Sequence, residues 1–93
     1  MSLDAVYKAM ADPTRRAILA LLRERPQTAG AIADRFELTK PSISHHLNKL
    51  AEADLIYGER DGTSITYHLN LTVFEDLVSA VVALWKGETD APS

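Results

Sequence analysis

Residues 28–53, TAGAIADRFELTKPSISHHLNKLAEA, decide the fold. Ala29, Ile32, Ala33 and Phe36 recur at helical spacing while Asp34, Arg35 and Glu37 stay polar, which predicts a short helix capped by the Thr28 hydroxyl. Three residues, Glu37 to Thr39, lead into a second helix predicted over 39–53, with Thr39 as its cap and Pro41 in its first turn, where a proline is tolerated. At about 100° per residue, Ile43, Leu47 and Leu50 make its inward face. His45 falls about 200° from Ile43, on the outer side with Pro41, Ser42, Asn48, Lys49 and Glu52. His46 sits on the shoulder of the buried face, and Ser44 lies between the two sides.

Working outward, Leu3, Val6, Tyr7 and Met10 are spaced for a helix over roughly residues 3–11. Asp12-Pro13 pairs an N-cap with a proline at the first helical position, and Pro26 stops the helix that follows, whose core face is Ile18, Leu19, Leu21 and Leu22. After Leu55 the apolar period changes to two: IYGER and TSITYHL flank Asp61-Gly62, a hairpin signal, which predicts strands near 55–60 and 64–69. A last helix begins at Asn70-Leu71-Thr72. The helix, short turn, helix succession followed by a hairpin predicts a mainly α chain with one β-hairpin. All 93 residues are expected to form one domain, with 88–93 a frayed polar tail.

The last helix carries more apolar residues than one core needs. Pairs at 73/74, 77/78 and 81/82, then Trp85, make a face too wide for a single partner. The expectation is that Phe74, Val78, Val81 and Trp85, with Leu3, Val6 and Tyr7 of the first helix, pack against a second copy of the chain.

Composition narrows the function. An apolar fraction of 46% and a charged fraction of 25% fit an ordinary globular protein. Cysteine is absent, which excludes disulfides, thiolate metal sites and cysteine nucleophiles. The start has no signal-peptide pattern and no apolar run is longer than AVVALW, which is too short to span a bilayer, so a cytoplasmic location without membrane insertion is expected. The net charge of −3 is unevenly distributed: residues 1–60 carry nine Lys/Arg against eight Asp/Glu, whereas 61–93 carry one against five. Salt screens charges beyond about 10 Å, so a local basic strip can still meet phosphates.

His45 and His46 admit three readings: a metal site, a catalytic pair or a contact surface. Helical metal ligands need spacings of three or four residues, and adjacent histidines diverge by about 100°. His68 is in the hairpin, with no reason in the sequence to meet them. Nucleophilic catalysis lacks a nucleophile elbow, and no glycine-rich phosphate loop is present. No enzyme, cofactor or metal is therefore expected. An outer helix face of Ser42, His45, Asn48 and Lys49, with Lys40 at its start, offers small donors, an imidazole and cations, which suits base edges and phosphates in a major groove.

The runs AMADPTRRAILALL, TAGAIADRF, LTKPSISHHLNKLAEADLI and YGERDGTSITYHLN, in that order over residues 5–70, resemble the ArsR-type winged helix-turn-helix repressors, and within them the metal-independent branch. The resemblance implies a homodimer joined through its first and last helices, bound to a pseudo-palindromic DNA operator with a recognition helix in each of two successive major grooves. Carried over by position, Ser42, Ser44, His45 and Lys49 face the groove, and Lys40 and Thr28 are phosphate candidates. Arg60, Thr63 and Ser64 of the wing, residues 56–69, reach the backbone or minor groove. Arg15 is either a phosphate contact or a link between helices. Metal-sensing relatives carry a Cys-x-Cys on the third helix or His and acidic ligands on the last; here the third helix has neither cysteine and the last has only Glu75 and Asp76. The rival readings are a winged-helix module that docks protein without binding DNA, and a histidine-based metal sensor.

Overall fold

A computed structural model describes residues 2–88; the predicted tail beyond Glu88 lies outside the described residues. The order is α1 (Leu3–Met10), α2 (Pro13–Glu24), β1 (Gln27–Thr28), α3 (Ala29–Phe36), α4 (Lys40–Glu52), β2 (Ile56–Asp61), β3 (Ser64–Leu69) and α5 (Leu71–Lys86). Each helix starts at a side chain that accepts one of the N–H groups left over in its first turn. Ser2, Asp12, Thr28, Thr39 and Asn70 fill these positions, accepting from the N–H three residues ahead.

The turn between α3 and α4 depends on Glu37, whose φ of 55° puts it in the left-handed region. That reversal lets Leu38 N–H reach the Ala33 carbonyl at 3.2 Å and closes α3. Asp54, at φ 60°, does the same after α4, and Leu55 N–H returns to the Leu50 carbonyl at 3.0 Å.

One core joins the elements. Val6, Ile18, Ile32, Ile43, Leu47, Leu50 and Leu55 are its deepest side chains, and Val73 and Leu77 close it from α5. Ile43, Leu47 and Leu50 are the three that the helical wheel turned inward. Val6, expected on the surface of α1 that meets a second copy, is instead fully buried in its own core. Its neighbour Tyr7 remains 41% exposed. One turn of α1 presents opposite sides to two destinations, and position 6 faces inward.

The sheet holds a strand that the sequence did not announce. β1 pairs antiparallel with β3, Gln27 opposite Tyr67 and Thr28 opposite Thr66, giving the order β1-β3-β2. Two polar residues have no periodicity to detect. They become a strand because Pro26 leads into them and the second edge of β3 is open to pairing.

The hairpin loop is displaced by one residue from the Asp-Gly reading. Asp61 pairs with Ser64, leaving Gly62-Thr63 as the two-residue loop, with positive φ at Gly62 (63°). Glycine is needed at the first loop position, so the aspartate belongs to the strand. In β2, a Cβ at Gly58 would lie 2.8 Å from a methyl of Ile65, so the close approach of the two strands also requires glycine there.

Candidate nucleic-acid interface

The outer face of α4 is built by elimination: the core takes Ile43, Leu47 and Leu50, which leaves Lys40, Ser42, Ser44, His45, Asn48 and Lys49 exposed. Thr39 Oγ1 accepts from Ser42 N at 3.3 Å and the Thr39 carbonyl from Ile43 N at 3.0 Å, and Pro41 has no N–H, so the backbone donor left in the first turn is that of Lys40. His45 stands free on this face. Lys49 is 3.9 Å from Glu52, an exposed pair that holds it weakly and leaves the ammonium available to a phosphate.

A cleft of about 420 Å³ separates the starts of α3 and α4 from the wing. It brings together Thr28, Lys40, Ser44, Thr63 and Ser64, residues that the sequence spreads over 37 positions. Thr28 is half-buried and its hydroxyl oxygen accepts from Ala31 N at 3.2 Å, so it shapes the cleft as well as lining it. Ser44 is exposed toward the cleft, away from the core. Arg60 does not join this group. It lines a second cleft with Glu59, Asp61, Thr66 and His68.

The histidines part company. His46 is half-buried, with Nδ1 3.4 Å from Arg15 Nη1 and 3.8 Å from Asp12 Oδ2. Arg15 Nε donates to the Ala9 carbonyl at 2.6 Å and Nη2 to that of Lys8 at 3.2 Å. The guanidinium is therefore a link between helices. The Arg15 backbone N–H, donating to Asp12, holds that carboxyl below its ordinary value of 3.8, with the nearby His46 and Arg15 charges adding to the effect against some desolvation. His68 lies far along the chain in another setting, stacked on Tyr57 at 5.0 Å and 3.1 Å from Glu59. Among the described residues no three His, Cys, Asp or Glu side chains converge as metal ligands.

The apolar residues of α5 divide into two stripes. Val73 and Leu77 are buried, and Phe74 packs partly on the core. Val78, Val81, Val82 and Trp85 are exposed, Trp85 by 90%. Leu84 shares the inward stripe at about 20° from Val73, yet it is 57% exposed, because α5 runs past the core it covers. Among the described residues no helix is long and apolar enough to cross a membrane.

The helix-turn-helix domain family matches residues 10–57. The chain is 47% identical to the transcriptional repressor SdpR of Bacillus subtilis (strain 168) over 89 residues, 95% of this chain and 99% of that protein. The chain belongs to the ArsR-type winged helix-turn-helix family. An ArsR-like transcriptional regulator from Rhodococcus sp. RHA1 superimposes with a TM-score of 0.78 at 28% identity, over 90% of this chain and 82% of that one. The arsenical resistance operon repressor of Staphylococcus aureus is 29% identical over 82% of this chain and 73% of its own length. The ArsR-type family comprises transcription regulators rather than enzymes. In ArsR-type terms, α3 and α4 are the helix-turn-helix and β2–β3 the wing.

Proposed function

We propose that this chain is a dimeric, sequence-specific DNA-binding transcriptional repressor acting in the cytoplasm. Each recognition helix α4 enters the major groove and each wing lies on the backbone or minor groove. The observation that carries this reading is the division of α4 into a buried apolar face and an outer face with His45, Ser42 and Lys49 free for contact. His45 and Ser42 meet base edges. Lys40, with Thr28, Ser44, Thr63 and Ser64 around the cleft, meets phosphate, and Lys49 does so further along the helix.

The dimer forms through α1 and α5, with Tyr7, Val78, Val81 and Trp85 as its apolar surface and Leu3 and Phe74 at its margin. The overhang of Leu84 supports it, since a second copy supplies the cover that the chain's own core does not. All 93 residues act as one domain. Regulation proceeds without a metal, a reading supported by the lack of any cysteine to supply a thiolate ligand.

Fluorescence anisotropy with DNA from the region upstream of the protein's own coding sequence tests the proposal. Affinity is expected to fall steeply with salt, with a slope of about −0.9 per phosphate contacted. Absence of binding at low salt overturns it in favour of a protein-docking module. A zinc titration that shifts DNA affinity or melting temperature overturns metal independence.

A further inference from the structure

The link from Arg15 to His46 is not used by any step above, yet it joins the two parts of the molecule that a dimeric DNA reader must hold in register. Arg15 reaches the last-turn carbonyls of α1, at Ala9 and Lys8, with Nε and Nη2, and extends Nη1 toward the His46 ring on α4. Asp12 caps α2 through Arg15 N–H and stands 3.8 Å from the same ring nitrogen. Tyr7, on the same helix α1, is part of the proposed dimer surface; His45, next to His46 with rings 5.7 Å apart, is part of the proposed reading surface.

We propose that Arg15, donating from Nη1 to an unprotonated His46 Nδ1, is a positioning residue that fixes the orientation of the recognition helix relative to the dimer helix and so sets the half-site spacing the protein accepts. This rests on the DNA-binding reading. The apolar contacts of Ile43, Leu47 and Leu50 hold α4 in place but are not directional. A hydrogen bond is, weakening steeply as its angle departs from linear. Two recognition helices about 34 Å apart each lie about 17 Å from the two-fold axis, so a swing of about 10° of α4 on the dimer helix moves it by about 3 Å, close to one base-pair rise, while its own contacts with base edges stay intact. A guanidinium suits this role because its rigid plane carries donors on three separate nitrogens, bonding two carbonyls and a ring nitrogen in fixed directions, whereas the three donors of a lysine radiate from one nitrogen on a flexible stem.

The test is selection from a pool of duplexes randomised over about three helical turns, run with wild-type protein and with variants checked for folding by thermal melting. His46→Leu removes the ring nitrogen while keeping bulk. His46→Asn places an amide oxygen near the former Nδ1 and is the rescue variant. Wild type is expected to return paired half-sites at one spacing, preferred about tenfold over spacings one base pair longer or shorter. His46→Leu is expected to return the same half-site sequence at several spacings, with that preference reduced to about threefold or less, and His46→Asn to restore a single spacing. Arg15→Lys, which keeps the cation and loses the fork, is expected to behave as His46→Leu does and serves if the leucine variant does not fold. A folded His46→Leu or Arg15→Lys protein that keeps the single wild-type spacing overturns the positioning role and leaves DNA binding intact. Wild type that enriches no motif removes the DNA-binding reading itself.

Discussion

Placing a carboxylate at Val81 tests the proposed two-fold contact where the geometry is most exacting. Val81 lies about 80° round α5 from Val73, within the exposed stripe that also holds Val78 and Trp85, and it is 50% exposed. Burying a whole valine side chain is worth about 2 kcal/mol, so half of one contributes about 1 kcal/mol per protomer. Two-fold symmetry counts it twice, about 2 kcal/mol per dimer. In Val81→Asp that gain disappears and two carboxylates are desolvated without partners, at a further cost of about 2 kcal/mol or more. Together these weaken dimerisation about a thousandfold. Sedimentation equilibrium measures the monomer–dimer constant directly, and circular dichroism reports whether the monomer stays folded. Ser79, exposed about 160° round the helix from Val81, provides the control: Ser79→Asp is expected to leave the constant within about threefold. A Val81→Asp protein that dimerises as tightly as wild type refutes the assignment of this stripe to the interface.

His45→Ala is expected to lower affinity for a specific operator by about 1–3 kcal/mol with an unchanged melting temperature, as read by anisotropy and calorimetry, because the ring is exposed and supports no core contact. Lys40→Ala and Lys49→Ala should each weaken specific and non-specific DNA binding alike and reduce the slope of log affinity against log salt by about 0.9. Leu47→Ala, at a core position only 1% exposed, is expected to cost about 2–5 kcal/mol in urea unfolding. The Asp12 carboxyl has its folded-state pKa depressed by the Arg15 N–H, so its stabilisation is complete above 3.8 and is lost as pH falls through the lower folded value. Asp12→Asn should therefore be less stable near neutrality and show a shallower loss of stability below about pH 4 in acid titration followed by circular dichroism.

Local chemistry was enough to place the five helices and the hairpin of this chain. N-caps with a proline behind them, and a period that changes from 3.6 to two, are written in neighbouring residues, and the structure puts α2 at Pro13 and β3 at Ser64–Leu69. The two sides of α4 were legible for the same reason, since a helix turns by a known angle at each step and Ile43, Leu47 and Leu50 could only share one face. The loop at Gly62-Thr63 escaped by one residue because Asp-Gly is a composition signal, whereas the strand register is decided by which backbone can take positive φ.

Long-range placement was another matter. The short strand β1 exists only because β3 has an open edge beside it, and Val6 is buried because α2 and α4 converge on that side of α1. The meeting of Thr28, Lys40, Ser44, Thr63 and Ser64 around one cleft, and the separation of Arg60 from it, follow from how the hairpin packs on α3. His45 and His46 differ by one position in sequence, and the side of α4 on which each lies could be worked out from that alone. Which of them met a partner depended on the α1–α2 corner arriving with Asp12 and Arg15, because contacts between residues distant in the chain are made by packing and leave no periodic trace in the residues themselves.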